Sequence, residues 1–186
     1  NADGKVHVFK YINGEQATPE NADNVSFPVY KPDAPNYPFF LGPNSDAQAG
    51  DIPYEASTYN MIGGENYSVV EDLSTSLVGA SCEAENSPAY ELVGYTTGKT
   101  LEEAKNGVKS LTTPSVTIDG DSYIIVWNHK CAPPVVDMCL NIDGIQSEVP
   151  QGYHADGQNC YPDQNQCVDT SGDVVSDTNT FFGEIA

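Results

Sequence analysis

Residues 5–12 read KVHVFKYI, in which apolar side chains alternate with others as in a half-buried β-strand. Successive side chains of a strand point to opposite faces, so Lys10 shares the apolar face with Val6 and Val8. A charge buried alone in a protein core is costly, so Lys10 needs a partner there. The segment therefore predicts a β-protein whose core contains a polar site.

The same alternation predicts two further inward polar side chains. Glu71 lies on the apolar face of residues 67–73 (YSVVEDL), and Asn128 lies on that of residues 122–128 (SYIIVWN). We expect Lys10, Glu71 and Asn128 to meet, because burial disfavours the charged forms of both the amine and the carboxyl group. A neutral amine held against the amide carbonyl could displace ammonia. The alternatives are an ordinary Lys10–Glu71 salt bridge, a lysine that extends to solvent at a strand end, or a register error that moves these side chains outward.

The rest of the first 130 residues has the composition of an all-β protein. Gly and Pro recur about every ten residues between runs rich in Tyr, Val and Thr, which is typical of a β-sandwich or barrel. Residues 100–109 (TLEEAKNGVK) are the one predicted helix, because Thr100 can cap it and Glu103 follows three residues later. The other predicted strands are 25–30, 54–61, 90–95 and 115–118.

Residues 31–51 are predicted to form a long loop, because prolines and glycines crowd the first dozen positions. Aromatic side chains lie in it and just before it, at Tyr30, Tyr37, Phe39 and Phe40. Loops on a β scaffold often carry binding function. The alternative function is therefore an adhesin that recognises a glycan or a protein through this loop.

The character of the chain changes after Lys130, where Cys131-Ala-Pro-Pro is typical of a linker. We divide the chain into a sandwich over residues 1–130 and a Cys-containing segment over 131–186. Residues 135–162 form a small module in this interpretation. Residues 163–177 are nearly free of apolar side chains and are expected to be flexible, and 178–186 could add as an exchange strand to another copy in a filament.

The five cysteines are expected to form disulfides in an oxidising compartment, because none forms a CxxC pair and zinc is poorly supported. One predicted bond joins Cys82 to Cys131, across the second half of the sandwich. The second joins Cys139 to Cys160 and leaves Cys167 unpaired. Cys160–Cys167 with a free Cys139 is the alternative.

The charge is strongly acidic, with 27 Asp and Glu against seven Lys, no Arg and a net charge of −20. Nucleic acid and anionic membranes are therefore unlikely partners, since both require clustered basic side chains. We expect a solvated surface and no cofactor or metal site. Ca²⁺ at Asp169, Asp173 and Asp177 is a weak alternative, because the spacing is uneven and the terminal Glu of an EF-hand is missing. No apolar run reaches the length of a membrane span.

Three motifs, VHVFKYING with Lys10, the box from Tyr67 to Glu71, and YIIVWNHK with Asn128, resemble the collagen-adhesin B-type (Cna-B, prealbumin-like) domains of bacterial surface proteins. The resemblance covers about residues 5–130 and implies an immunoglobulin-like or transthyretin-like β-sandwich. It also implies an intramolecular Lys10–Asn128 isopeptide bond, with Glu71 as the catalytic acid. The chain departs from the family pattern at Ile12, where an acidic residue is usual, and after Glu71, where Asp72 and Leu73 follow.

The expected function is that of an extracellular structural module in a cell-surface or pilus-like fibre. A start at Asn-Ala-Asp-Gly without Met fits a processed, exported N-terminus. The three histidines lie in no Ser/His/Asp arrangement that sequence can defend, so no enzyme acting on an external substrate is expected. The only chemistry would be a single-turnover formation of the isopeptide bond.

Overall fold

The computed structural model describes residues 1–44, 52–133 and 135–164, together with the backbone of the short strands at 167–168 and 174–175. The chain divides into two compact units, Asn1–Pro133 and Pro134–Ala186. The first unit is a β-sandwich with one short helix, as predicted.

The first unit contains eleven strands and a helix in the described residues. In chain order they are β1 (Val6–Ile12), β2 (Glu15–Gln16), β3 (Phe27–Lys31), β4 (Ala34–Leu41), β5 (Glu55–Ser57), β6 (Asn66–Ser68), β7 (Val70–Glu71), β8 (Val78–Gly79), β9 (Tyr90–Gly98), α1 (Leu101–Lys105), β10 (Ser115–Thr117) and β11 (Ser122–Lys130). The larger sheet has the order β2-β1-β11-β9-β8, and β5 also pairs with β1. A second sheet has the order β4-β3-β7, and β6 pairs with β10.

The first and last strands of this unit are neighbours at the centre of the larger sheet. β1 and β11 run parallel, with Lys10 opposite Val126 and Ile12 opposite Asn128. Their inward faces are almost fully buried and mostly apolar, with Lys10 and Asn128 among the polar exceptions, as expected for strands covered on both sides. The core lies between this pair and the β4-β3-β7 sheet, whose contribution includes Phe27 and Val29.

The helix covers the outer face of the larger sheet. The Thr100 hydroxyl accepts a hydrogen bond from the Glu103 N–H at 3.1 Å, which is the predicted cap. Ala104 packs against a cluster that includes Phe9, Ile125 and Trp127. The helix ends at Lys105, earlier than residue 109, because Asn106 and Gly107 are weak helix formers.

The predicted loop over residues 31–51 is wrong in its first half. β4 pairs in antiparallel fashion with β3, so that Val29 lies opposite Phe39. Pro35 and Pro38 suggested a loop, but β4 is an edge strand, where an outward position needs no backbone N–H. Residues 45–51 lie outside the described residues.

The predicted strand over residues 67–73 is interrupted. Tyr67 in β6 pairs with Val116 in β10, whereas Glu71 in β7 pairs with Val29 in β3. Val69 lies between the two strands and is fully buried. The segment thus leaves one sheet for another while Tyr67, Val69 and Glu71 all remain in the core.

The second unit contains a hairpin of β12 (Tyr153–Asp156) and β13 (Asn159–Pro162). Two short strands, β14 (Cys167–Val168) and β15 (Val174–Val175), also pair with each other. The segment 163–177, which was expected to be flexible, thus contains four paired positions, and three of them are β-branched valines, which favour strand. The exchange strand at 178–186 and the Ca²⁺ ligands Asp169, Asp173 and Asp177 lie outside the described residues.

Candidate cross-linking site in the sandwich core

The structure brings Lys10, Glu71 and Asn128 together in the core of the first unit. Their exposed fractions are 0%, 1% and 2%. Lys10 and Asn128 come from the neighbouring strands β1 and β11, and Glu71 comes from β7 in the other sheet. The three side chains therefore bridge both sheets of the sandwich.

The lysine is the centre of this cluster. Its Nζ donates hydrogen bonds to Glu71 Oε2 and to Asn128 Oδ1. The Phe27 ring lies below the same nitrogen, with its centroid 4.5 Å away. The amine is thus held between a proton acceptor, an amide carbonyl and an aromatic face, in a site closed to solvent.

Two polar atoms of the cluster have no hydrogen-bond partner among the described residues. They are Glu71 Oε1 and Asn128 Nδ2, both fully buried. A buried polar atom without a partner costs about 1–3 kcal/mol, so most native cores avoid it. Both orphaned atoms belong to the groups that an amide-forming reaction would use, the proton carrier and the leaving nitrogen.

Burial lowers the pKa of the Lys10 amine from its ordinary value of 10.5 to about 8, although the carboxylate of Glu71 opposes that shift. With this pKa, about a tenth of the molecules hold a neutral amine at pH 7, roughly 300-fold more than for an ordinary lysine. Only the neutral amine has a lone pair for attack. The core therefore activates the nucleophile.

Two neighbouring features act on the backbone at Glu71 and Asn128. The Tyr95 hydroxyl accepts a hydrogen bond from the Glu71 backbone N–H at 2.9 Å, and burial raises the pKa of Tyr95 to about 12. On the other side, β11 and β9 change register between Trp127 and Asn128, which leaves Val93 of β9 as an extra residue. Such bulges occur where a strand has to re-aim its side chains, and single-strand alternation does not predict them.

Both preferred cysteine pairs lie at disulfide distance. Cys82–Cys131 has an S–S distance of 2.09 Å and Cys139–Cys160 one of 1.96 Å. The prediction of these two bonds is confirmed, and the alternative Cys160–Cys167 bond is wrong. The side chain of Cys167 lies outside the described residues.

Sequence analysis missed a row of polar side chains on the outer face of β1. His7 Nδ1 lies 2.9 Å from Ser57 Oγ, and His7 Nε2 lies 3.0 Å from Asp121 Oδ2. The sequence identified no Ser/His/Asp arrangement, because these three residues meet only through strand pairing and a turn. Since the Asp121 carboxylate also accepts the Lys5 N–H at 3.0 Å, the row fastens β5 and the turn before β11 to β1.

The predicted aromatic binding surface is partly assembled. Phe39 and Phe40 of β4 line a cleft of about 430 Å³, together with Tyr59, Met61 and Lys31. Tyr37 points into solvent and Tyr30 is outside this lining. The cleft is therefore an apolar opening beside the edge strand rather than a loop-borne site.

In comparisons with known proteins, no family model, curated protein or solved structure matches this chain. Within the described residues, no helix has the length and apolar character needed to cross a membrane. The fold and the core cluster therefore carry the functional argument.

Proposed function

We propose that this protein is an extracellular structural module of a cell-surface or pilus-like fibre, closed by an isopeptide bond between Lys10 and Asn128. The observation that carries the proposal is the burial of Lys10 Nζ between the Glu71 carboxylate and the Asn128 amide. The motif resemblance to collagen-adhesin B-type domains supports the same assignment.

The isopeptide bond would form by transamidation. The neutral amine of Lys10 attacks Asn128 Cγ, so a bond forms between Nζ and Cγ while the bond from Cγ to Nδ2 breaks. Glu71 accepts a proton from the attacking nitrogen and delivers one to Nδ2, which leaves as ammonia. Atoms and charge balance without a cofactor, and the enclosed core keeps water from competing for the amide.

The positions of the two residues suit a load-bearing role. Lys10 and Asn128 are 118 positions apart, so the bond would enclose almost the whole first unit in one covalent ring. The strands that carry them run parallel side by side, and a force applied at the start of β1 and the end of β11 would act along both strands. The amide bond would then carry the load in place of the hydrogen-bond ladder.

The cysteine pairs and the acidic composition support an extracellular location. Two cysteine pairs at disulfide distance suit an oxidising compartment. The acidic composition favours solubility and disfavours binding to nucleic acid or anionic lipid. The reaction at Lys10 occurs once per molecule, so in this proposal the protein is not an enzyme with an external substrate.

A second candidate function is adhesion through the apolar cleft. Phe40 and Tyr59, which line it, are substantially exposed, and such patches often mark binding sites. Screening against arrayed glycans and host proteins tests this function. Binding that Phe40→Ala and Tyr59→Ala abolish would support it, and retained binding in both variants would exclude the cleft.

The intact mass of the reduced, unfolded protein tests the proposed bond. Loss of ammonia lowers the mass by about 17 Da, a covalent change that denaturation cannot reverse. We expect the deficit in the wild type and in Glu102→Gln, a control on the exposed helix surface. Glu71→Gln and Lys10→Met should have the full calculated mass. A wild-type mass without the deficit contradicts the proposal.

A further inference from the structure

The Cys82–Cys131 disulfide is flanked by a histidine and a glutamate. His129 Nδ1 lies 3.7 Å from Cys82 Sγ and 3.3 Å from Glu91 Oε1. Sulfur, nitrogen and carboxylate oxygen all lie within 4.8 Å of one another. Cys131 adds a second sulfur, which is bonded to the first.

Two of these separations match edges of a tetrahedral zinc site. With ligand distances of about 2.0–2.3 Å, the ligand atoms of tetrahedral Zn²⁺ lie about 3.3–3.8 Å apart. The nitrogen–oxygen and sulfur–nitrogen distances already fall in this range. The two sulfurs are too close, because they are bonded to each other.

The fold holds these groups in place without the disulfide. Glu91 and His129 lie directly opposite each other on the paired strands β9 and β11. The Cys82 N–H donates to Glu91 Oε2 at 2.9 Å, and the Cys131 N–H donates to the Ala89 carbonyl at 2.9 Å. The site is also accessible, since the His129 side chain is 52% exposed and that of Glu91 is 29% exposed.

We propose that reduction of this disulfide creates a binding site for a zinc-class divalent cation, formed by Cys82, Cys131, His129 and Glu91. A phosphine reductant and water convert the disulfide to two thiols and a phosphine oxide. The cation then displaces the two thiol protons and binds both sulfurs, the histidine nitrogen and the carboxylate. Disulfide and metal are mutually exclusive, because a sulfur engaged in the S–S bond is no thiolate ligand.

The disulfide-bonded form and the metal-bound form would link the same strands. The disulfide links the segment after β8 to the end of β11, and the metal would link these two points and also Glu91 of β9. The strongly acidic chain would attract the cation. A newly made chain that meets zinc before an oxidant would thus have an alternative fastening for this end of the sheet.

Cobalt provides the direct test, because Co²⁺ bound to thiolates in a tetrahedral site has characteristic charge-transfer and d–d absorption. The full chain is reduced with a phosphine, freed of it without oxygen and titrated with Co²⁺ and then Zn²⁺. The Cys82→Ser/Cys131→Ser double variant gives the background from Cys139, Cys160 and Cys167. His129→Ala removes one ligand, and His154→Ala is the matched control.

We expect one more equivalent of tetrahedral Co²⁺ in the reduced wild type than in the double variant, displaced by Zn²⁺. His129→Ala should weaken this binding about tenfold or more, whereas His154→Ala should leave it unchanged. Circular dichroism of each reduced variant verifies that the sheet remains folded. Equal binding by the double variant, by His129→Ala or by the oxidised protein would overturn the proposal, as would an unfolded reduced chain.

Discussion

Lys10 and His7 lie three residues apart on β1 but face opposite sides of the larger sheet. Lys10 is 0% exposed and faces a carboxyl group and an amide from two other strands. The His7 side chain keeps 14% of its surface exposed, and its partner Asp121 keeps 50%. One strand thus presents a titratable group to a dry core and another to a wet surface.

The difference shows what burial adds to similar polar contacts. Water reaches the outer row at Asp121, whose side chain is half exposed, so the hydrogen bond there contributes modestly to stability. In the core, water cannot replace a lost partner, and the amine is driven toward its neutral form. The same type of contact links strands on one face and, in the function proposed above, forms the reactive site on the other.

The largest expected effect comes from Glu71→Ala. The variant would lose the cross-link, worth about 5 kcal/mol for a ring of this size by the chain-entropy argument. It would also leave Lys10 buried without its carboxylate, at a further cost of about 3–5 kcal/mol. Thermal and denaturant unfolding of the first unit measure the change.

The Lys10→Met/Glu71→Leu variant separates these two contributions. It removes the bond but leaves no unpaired charge in the core, so it should be clearly more stable than Glu71→Ala. Equal destabilisation of the two variants would contradict the view that the buried charge is the second source of the loss.

The disulfide at the end of β11 should have the next largest effect. Cys82→Ser/Cys131→Ser opens a loop of 49 residues between the two positions, and we expect the first unit to lose about 4 kcal/mol. The matched variant Cys139→Ser/Cys160→Ser opens a loop in the second unit only. If that variant lowers the denaturant midpoint of the first unit equally, the stabilities of the two units are not independent.

A free Lys10 amine should add a pH dependence to the stability of the first unit. Burial lowers the pKa of the free Lys10 amine to about 8 in the fold, and the same burial acts on it in Asn128→Ala, whereas the unfolded lysine still binds its proton. The free energy of unfolding should therefore rise by about 2 kcal/mol as pH increases from 8 to 10. The cross-linked wild type should lack this rise, which denaturant unfolding at several pH values measures. The same rise in both proteins would show that the wild-type amine is free.

The smallest effect is expected on the outer face. His7→Ala removes hydrogen bonds to Ser57 and Asp121, and we expect a loss of about 1–2 kcal/mol because water can solvate the remaining groups. The ammonia deficit should persist in this variant. Loss of the deficit from a folded His7→Ala protein would show that the two faces of β1 are coupled.

The sequence was most informative where the alternation of apolar and polar residues alone decides which face of a strand a side chain occupies. Alternation placed Lys10, Glu71 and Asn128 on inward faces, because a buried strand shows its pattern within a few residues. Local composition gave a wrong prediction for β4. Pro35 and Pro38 favour a loop, but an edge strand tolerates proline. The break at Val69 and the bulge at Val93 depend on partners from other strands, so single-strand patterns carry no signal for them.

Sites assembled from distant segments could not be predicted from the sequence either, because they also depend on the pairing of strands. Ser57, His7 and Asp121 meet through the pairing of β5 with β1 and the turn before β11. Glu91, His129 and the Cys82–Cys131 pair meet through the register of β9 and β11. Neither set has a spacing along the chain that marks it as a site.

Peptide mapping of the reduced, protease-digested protein tests the central claim most directly. A Lys10–Asn128 bond predicts a branched peptide in which the β1 segment with Lys10 is joined to the β11 segment with Asn128, about 17 Da lighter than the sum of the two. The branched peptide should be absent from Glu71→Gln. Recovery of the two segments only as separate, unmodified peptides from the folded wild-type protein would contradict the account.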